Sequence, residues 1–434
     1  MNKVLNIGIV GLGTVGCGVI KNIEKNSIFF ENNHNVEINI LGISAKNKSK
    51  DRSINIQNYD WYENPIDLAK DKNIDTVLEL VGGADGLAYN LALETLKQGK
   101  NFITANKALL SKHGSELAKL SEENENFFGF EASVAGGIPV IKTLKESVRV
   151  KEIKKIYSIL NGTSNYILSN MDNLSISFDD ALKIAQEKGY AEADPSLDIN
   201  GEDSAHKLSI LNAIIFSEIP SVKSIHIKGI EGIELIDHSY ASEFGYKIRL
   251  IAMSEIIKSK IYKEVSPMLV ESKSVLGRVN DANNVVQLIN NESGDVVLEG
   301  KGAGEGPTSS SVISDLIDCS TDVRLKLFGD SFSNLTENSD KIDSKQRPYY
   351  LRVFLKDQKG SMSKLTNLLS ENNISIDKII QKGESHLDDE KNSTPVVMIT
   401  YPVRMEEINS FLEKLKGSEL ISLEPVYVPV LEEG

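Results

Sequence analysis

The sequence predicts an α/β protein in three modules, the first a parallel sheet covered on both faces by helices. Three observations carry this. Short β-rich runs alternate with helical spacing through about residue 135. The pattern changes after Gly136-Gly137-Ile138-Pro139, and the stretch from Tyr349 onward reads β-α-β-β-α-β. Alternation of the first kind implies βαβ units, and the last order is a ferredoxin-like module.

Taken in order, residues 6–10 read as a strand, followed at once by GLGTVG (11–16) and by Val15, Val19 and Ile23 at helical spacing. Residues 36–43, 76–80, 101–104 and 127–130 read as further strands, with helices at 87–96 and 115–120 between them. Then comes an α+β layer: a one-sided strand at 151–160, helices at 179–188 and 204–216, and paired strands at 247–256 and 260–265. A second pair, 285–289 and 296–299, spans the turn residues Glu292-Ser293-Gly294. Residues 331–347 are polar with few apolar anchors and read as a linker. The expected boundaries are 1–135 (completed by about 305–330), 136–304, 331–347 and 348–434.

The whole chain sets limits on function. Its 434 residues exceed one usual domain. A formal charge of -14 argues against nonspecific binding to nucleic acid or to an anionic membrane surface. Only Cys17 and Cys319 are present, which excludes a disulfide framework or a cysteine zinc site and points to a reducing compartment. No apolar run reaches membrane-spanning length and the N-terminus enters a strand directly, so a cytoplasmic location is expected.

Gly11-Leu12-Gly13-Thr14-Val15-Gly16 is a GxGxxG between a strand and a helix, the context a Rossmann dinucleotide-binding turn requires. Gly11 permits the tight turn, Gly13 lets backbone approach a pyrophosphate, and Gly16 allows close helix–strand packing. Thr14 and Val15 open the helix whose free N–H groups face the phosphates. The second strand ends without an acid for a ribose hydroxyl and is followed by Lys46 and Lys48. That favours NADP, with NAD still open; an exposed basic loop is the plainer reading.

Residues 189–207, GYAEADPSLDINGEDSAHK, carry Glu192, Asp194, Asp198, Glu202 and Asp203 and close on Lys207. On a helix starting near Gly201, Asp203 and Lys207 share one face. A surface ion pair would look like this. So would a reductase site, where a lysine ammonium protonates the oxygen left by hydride delivery and its carboxylate neighbour orients it. Glu192 and Asp198 could hold the ammonium of an amino-acid substrate.

This stretch resembles the homoserine dehydrogenase signature, with Ala185, Gly189, Asp194-Pro195, Asp198, Gly201, Asp203 and Lys207 at that family's spacing. TANKALL (104–110), EASVAGGIPVI (131–141), ILNGTSNYIL (159–168) and GKGAGEGPTSSSVISDL (300–316) resemble it too, so the likeness covers residues 1 to about 330. The resemblance implies NAD(P)H-dependent reversible reduction of L-aspartate 4-semialdehyde to L-homoserine, on the route to threonine, methionine and isoleucine. By position it implies Lys207 as proton donor, Asp203 and Glu192 as substrate-binding acids, and Lys107 beside nicotinamide and substrate. It further implies Gly189 and Gly304 near the cofactor, and Glu131, Val134, Gly136 and Ile138 around a monovalent cation such as Na⁺. A simple hinge at Gly136-Gly137 is the other reading of that last stretch. The family's final helix packs back on the nucleotide domain, which makes that domain discontinuous. No kinase domain of the fused bifunctional form is expected ahead of residue 1.

Residues 349–432 resemble an ACT domain, which implies feedback inhibition by threonine and at least a homodimer, or a homotetramer. A dimerisation module without ligand is the alternative. Removal of residues after about 340 is expected to abolish inhibition and spare turnover. Two other functions are weighed: a nucleotide sensor without chemistry, and a related two-domain NAD(P)-dependent reductase of another amino-acid-like carbonyl. Intact Lys107, Glu192, Asp203 and Lys207 speak against the first.

Overall fold

The computed structural model describes residues 2–148, 153–290, 294–321, 323–337, 345–382 and 393–432. The expected turn residues Glu292 and Ser293, the start of the expected strand at 151–160 and residues 338–344 of the expected linker lie outside the described residues.

Strands β1 (Lys3–Val10), β2 (Val36–Ser44), β3 (Asp60–Trp61), β4 (Thr76–Glu79), β5 (Asn101–Thr104) and β6 (Phe128–Gly129) form one parallel sheet in the order β3-β2-β1-β4-β5-β6. The order reverses between β1 and β4, which opens a crevice beyond the carboxyl ends of these strands, where ligands bind in open α/β sheets. The helix Thr14–His34 buries Val19, Ile20 and Ile23 in the same apolar cluster as Ile7 and Ile9 of β1. The helix Glu305–Cys319 adds Val312, Ile313 and Leu316 to that cluster, and Lys21 pairs with Glu305 at 2.8 Å. A Cβ on Gly18 would stand 2.6 Å from the Glu305 side chain, so the two helices touch where glycine allows it.

The second sheet contains β7 (Ile153–Ile159), β8 (His226–Ile227), β9 (Tyr246–Ile257), β10 (Lys260–Glu271), β11 (Asn283–Asn290) and β12 (Val296–Lys301), in the order β12-β11-β7-β9-β10-β8. Its pairs are antiparallel except β10 with β8. The helices Gly162–Leu174 and Glu202–Phe216 pack against β9. Both are buried along most of their length, which is why neither has the one-sided apolar stripe of a surface helix.

The C-terminal sheet has β13 (Tyr349–Lys356), β14 (Ile376–Gln381), β15 (Ser393–Thr400) and β16 (Val426–Pro429) in the antiparallel order β14-β15-β13-β16, with helices Ser361–Glu371 and Met405–Lys416. It is docked on the second module, at the helix Leu235–Glu243 and at β10, through buried charge. Arg352 Nε bonds Asp237 Oδ1 at 2.8 Å, and Arg347 meets Glu264 at 2.6 Å. Leu269 of β10 bridges Val430 in parallel. The described ends of the expected linker are also anchored: Ser331 and Phe332 bond the Glu122 carboxylate, and Lys345 pairs with Glu255. No helix among the described residues is long and apolar enough to cross a membrane.

Candidate active site

Gly201 takes φ +89° as the residue ahead of the helix Glu202–Phe216, so Asp203 falls in its first turn and Lys207 one turn later. Both are buried, at 6% and 8% exposure, which separates them from a solvated surface pair. Lys207 Nζ donates to Asp203 Oδ2 at 2.7 Å and to the Leu160 carbonyl at 2.7 Å. Two of the three ammonium donors are thereby engaged.

The other oxygen, Asp203 Oδ1, lies 2.9 Å from Lys107 Nζ. Lys107 opens the helix Lys107–Glu123, whose N-cap Asn106 accepts the Leu109 N–H. Its side chain is 41% exposed, just beyond the carboxyl end of β5. Asp203 raises its proton affinity, against burial, with smaller help from Asp198 and Glu192. Burial works to raise the Asp203 carboxyl, but the ammoniums of Lys207 and Lys107 win and hold it well below the usual carboxylate range.

Asn161 extends the cluster. Its Nδ2 donates to Asp198 Oδ1 at 2.6 Å and to Asp203 Oδ2 at 2.9 Å, while its Oδ1 caps the helix Gly162–Leu174. Burial raises the Asp198 carboxyl, opposed by the Asn161 bond. Residue-by-residue reading of the sequence did not assign Asn161, although it lies inside the quoted ILNGTSNYIL stretch. Glu192 stands exposed at the edge, with its carbonyl bonded by Gln186. Gly189 takes φ +75° with open space around it.

The glycine-rich turn lies at the carboxyl end of β1. Gly11 has φ +104°, and a Cβ there would meet the Leu80 carbonyl oxygen at 2.4 Å. A Cβ on Gly16 would strike Gly11 O at 2.0 Å, whereas Gly13 has nothing within 4 Å. Thr14 and Val15 start the helix behind the turn. Gly304, at φ +120°, precedes the helix Glu305–Cys319. Arg52 is a second residue the sequence reading passed over. It reaches from the basic loop after β2 to donate Nε to the Leu12 carbonyl at 3.2 Å. Lys46, Lys48 and Lys50 on that loop are exposed.

Glu131, Val134, Gly136 and Ile138 are all buried in one irregular segment. The Glu131 carboxylate accepts the Ile141 and Lys142 N–H groups at 2.9 and 2.8 Å, and burial pushes it up to about 7. Ser311 donates to the Gly136 carbonyl at 2.6 Å. Each of these oxygens keeps a further lone pair.

Comparison with known proteins identifies the family. Residues 11–131 match the NAD-binding domain model of homoserine dehydrogenase, 139–317 the homoserine dehydrogenase model, and 349–396 the ACT domain model. The chain is 36% identical to a homoserine dehydrogenase of Helicobacter pylori, over 97% of each chain. It is 34% identical to one of Neisseria gonorrhoeae, over 96% of this chain and 97% of that one. Among solved structures, a homoserine dehydrogenase from Thiobacillus denitrificans superposes with a TM-score of 0.90 at 31% identity, covering 100% of this chain and 99% of that one. A hyperthermophilic archaeal homoserine dehydrogenase mutant in complex with NADPH superposes at 0.62 and 28% identity, covering 73% of this chain and 98% of that one. The chain belongs to the homoserine dehydrogenase family of NAD(P)-dependent oxidoreductases and carries an ACT domain.

Proposed function

We propose that this chain reduces L-aspartate 4-semialdehyde to L-homoserine, with Lys207 as the proton donor. The single observation that carries the reading is the Lys107–Asp203–Lys207 bridge, with Asp203 and Lys207 buried and Lys107 half-exposed beyond the carboxyl end of β5. A bound dihydronicotinamide supplies the hydride. Lys207, with one donor to spare, protonates the oxygen as negative charge builds on it. Lys107 adds a second positive charge from the crevice side. Asp203 orients both lysines, while Asp198 and Glu192 attract the substrate ammonium. In homoserine oxidation Lys207 takes the proton back.

NADP is the preferred cofactor in this reading. The acid-free end of β2, the exposed lysines and Arg52 at the glycine turn favour a 2′-phosphate over a bare ribose hydroxyl. The segment from Glu131 to Ile138 suits Na⁺, a hard ion held by one carboxylate and backbone carbonyls. Threonine acts through the ACT domain, and the working form is a homo-oligomer in the cytoplasm. The domain division is 1–135 with about 305–330, 136–304, and 348–434.

The test is spectrophotometric: oxidation of NADPH and NADH with L-aspartate 4-semialdehyde, with and without threonine. The reading predicts turnover with a higher kcat/KM for NADPH, and inhibition at millimolar threonine. No turnover with either cofactor contradicts the activity. Turnover that threonine leaves untouched removes only the effector.

A further inference from the structure

We infer that Glu79, a buried carboxylate at the end of β4, is a positioning residue that sets Lys107 for turnover through Thr104 and Asn106. The inference rests on the reading of Lys107 as part of the reacting site.

Glu79 and Thr104 are register partners at the carboxyl ends of neighbouring strands, β4 and β5. Both are fully buried. Glu79 Oε2 accepts the Thr104 hydroxyl at 2.6 Å, and Oε1 accepts the Val81 N–H at 2.9 Å. Thr104 Oγ1 in turn accepts the Asn106 N–H at 2.9 Å. Asn106 Oδ1 caps the helix that Lys107 begins, and its Nδ2 donates to the Gly83 carbonyl at 2.7 Å. One unbroken hydrogen-bonded chain therefore runs from Glu79 to the residue before Lys107. The same chain ties the loop at Val81–Gly83 to the loop at Thr104–Asn106.

The chemistry explains why an acid stands here. Burying a carboxylate is costly, and this one has only neutral partners. Thr104 accepts the Asn106 N–H on one lone pair and directs its single hydroxyl proton to Glu79. Val81 N–H can only donate as well. A side chain that keeps both bonds as they stand must accept at both terminal atoms, which a carboxylate does and a glutamine amide does not. A glutamine would turn its NH₂ either against the Val81 N–H or toward Thr104, whose hydroxyl must then rotate off its present bond. The helix start would then shift, and Lys107 with it.

The test is a mutant cycle on the full chain: Glu79→Gln, Thr104→Val and Lys107→Ala singly, then Glu79→Gln and Thr104→Val each in the Lys107→Ala background. Aldehyde reduction gives kcat and KM, and NADPH fluorescence gives cofactor Kd. The inference predicts that Glu79→Gln and Thr104→Val each lower kcat about 10- to 100-fold with cofactor Kd within about twofold. It predicts no further loss when either is added to Lys107→Ala. Equal losses in both backgrounds would make the role structural and overturn it, and so would an unchanged kcat in the single variants. If Glu79→Gln does not fold, Thr104→Val decides the matter alone. Should Lys107→Ala turn over normally, the reading of Lys107 fails first and takes the inference with it.

Discussion

Lys107 and Lys207 bind opposite oxygens of one carboxylate, that of Asp203, at 2.9 and 2.7 Å. One lysine comes from the nucleotide module and is half-exposed beyond β5, and the other is buried in the helix Glu202–Phe216. Asp203 thus joins the two modules at the point where hydride transfer is proposed. Because Asp203 raises Lys107 above its ordinary range, Asp203→Asn lets Lys107 lose its proton at lower pH. The alkaline limb of aldehyde reduction then moves toward neutral pH, alongside a fall in kcat of at least about tenfold. A pH–rate profile of the two proteins checks both effects.

Gly13 and Gly16 separate two requirements of the dinucleotide turn. Gly16→Ala drives a methyl into the Gly11 carbonyl, so it destabilises the fold by about 1–3 kcal/mol. Gly13→Ala meets nothing in the protein alone and so melts normally. It is expected to raise cofactor Kd at least about tenfold, because the methyl points where a pyrophosphate approaches. Melting curves paired with cofactor titrations distinguish the two.

His238 gives the fold an acid-sensitive point. It is 3% exposed, both ring nitrogens are without a hydrogen-bond partner among the described residues, and burial pushes it down to about 4. Between pH 6.5 and 4 the unfolded chain binds this proton and the folded chain does not. Stability is therefore present above pH 6.5 and is lost as pH falls toward 4, by at most about 3 kcal/mol. Glu79, raised to about 7 by burial, has the opposite sign over much of that range. His238→Leu should flatten the acid loss seen in urea titrations at pH 6.5 and 4.5.

The ACT domain is not a detachable appendage. Truncation after about residue 340 would strip Arg347 from Glu264 and Arg352 from Asp237, leaving buried carboxylates unpaired. Breaking such a pair costs about 3–5 kcal/mol, so Arg352→Leu should lower stability by that order. Lys416→Ala, at the exposed pair with Glu424, should change it by less than about 1 kcal/mol. Denaturant midpoints of the two variants give the comparison. Threonine sensitivity is better tested on the full chain than on the truncation.

The sequence disclosed most of what local chemistry controls. GxGxxG between a strand and a helix located the crevice, and the Asp203–Lys207 spacing located the buried pair. The helix Lys107–Glu123 begins earlier than the expected 115–120, because Asn106 caps it where the apolar spacing is weak. The helix Gly162–Leu174 was missed because it buries Thr163, Ser164, Asn165, Ser169 and Asn170 along with its apolar residues, so no apolar stripe marks its period. Asn161 and Arg52 act through contacts to distant chain segments, Asp203 and Leu12, which no local pattern encodes. The anchoring of the segment before β13 escaped for the same reason: Arg347 reads as polar and exposed, yet Glu264 draws it inside.

The most direct measurement is kcat for NADPH-dependent reduction of L-aspartate 4-semialdehyde by Lys207→Ala, with cofactor affinity measured on the same sample. The account predicts unchanged NADPH binding and a loss of about 10²- to 10⁴-fold in kcat. A variant that binds NADPH and turns over as fast as the parent would contradict it.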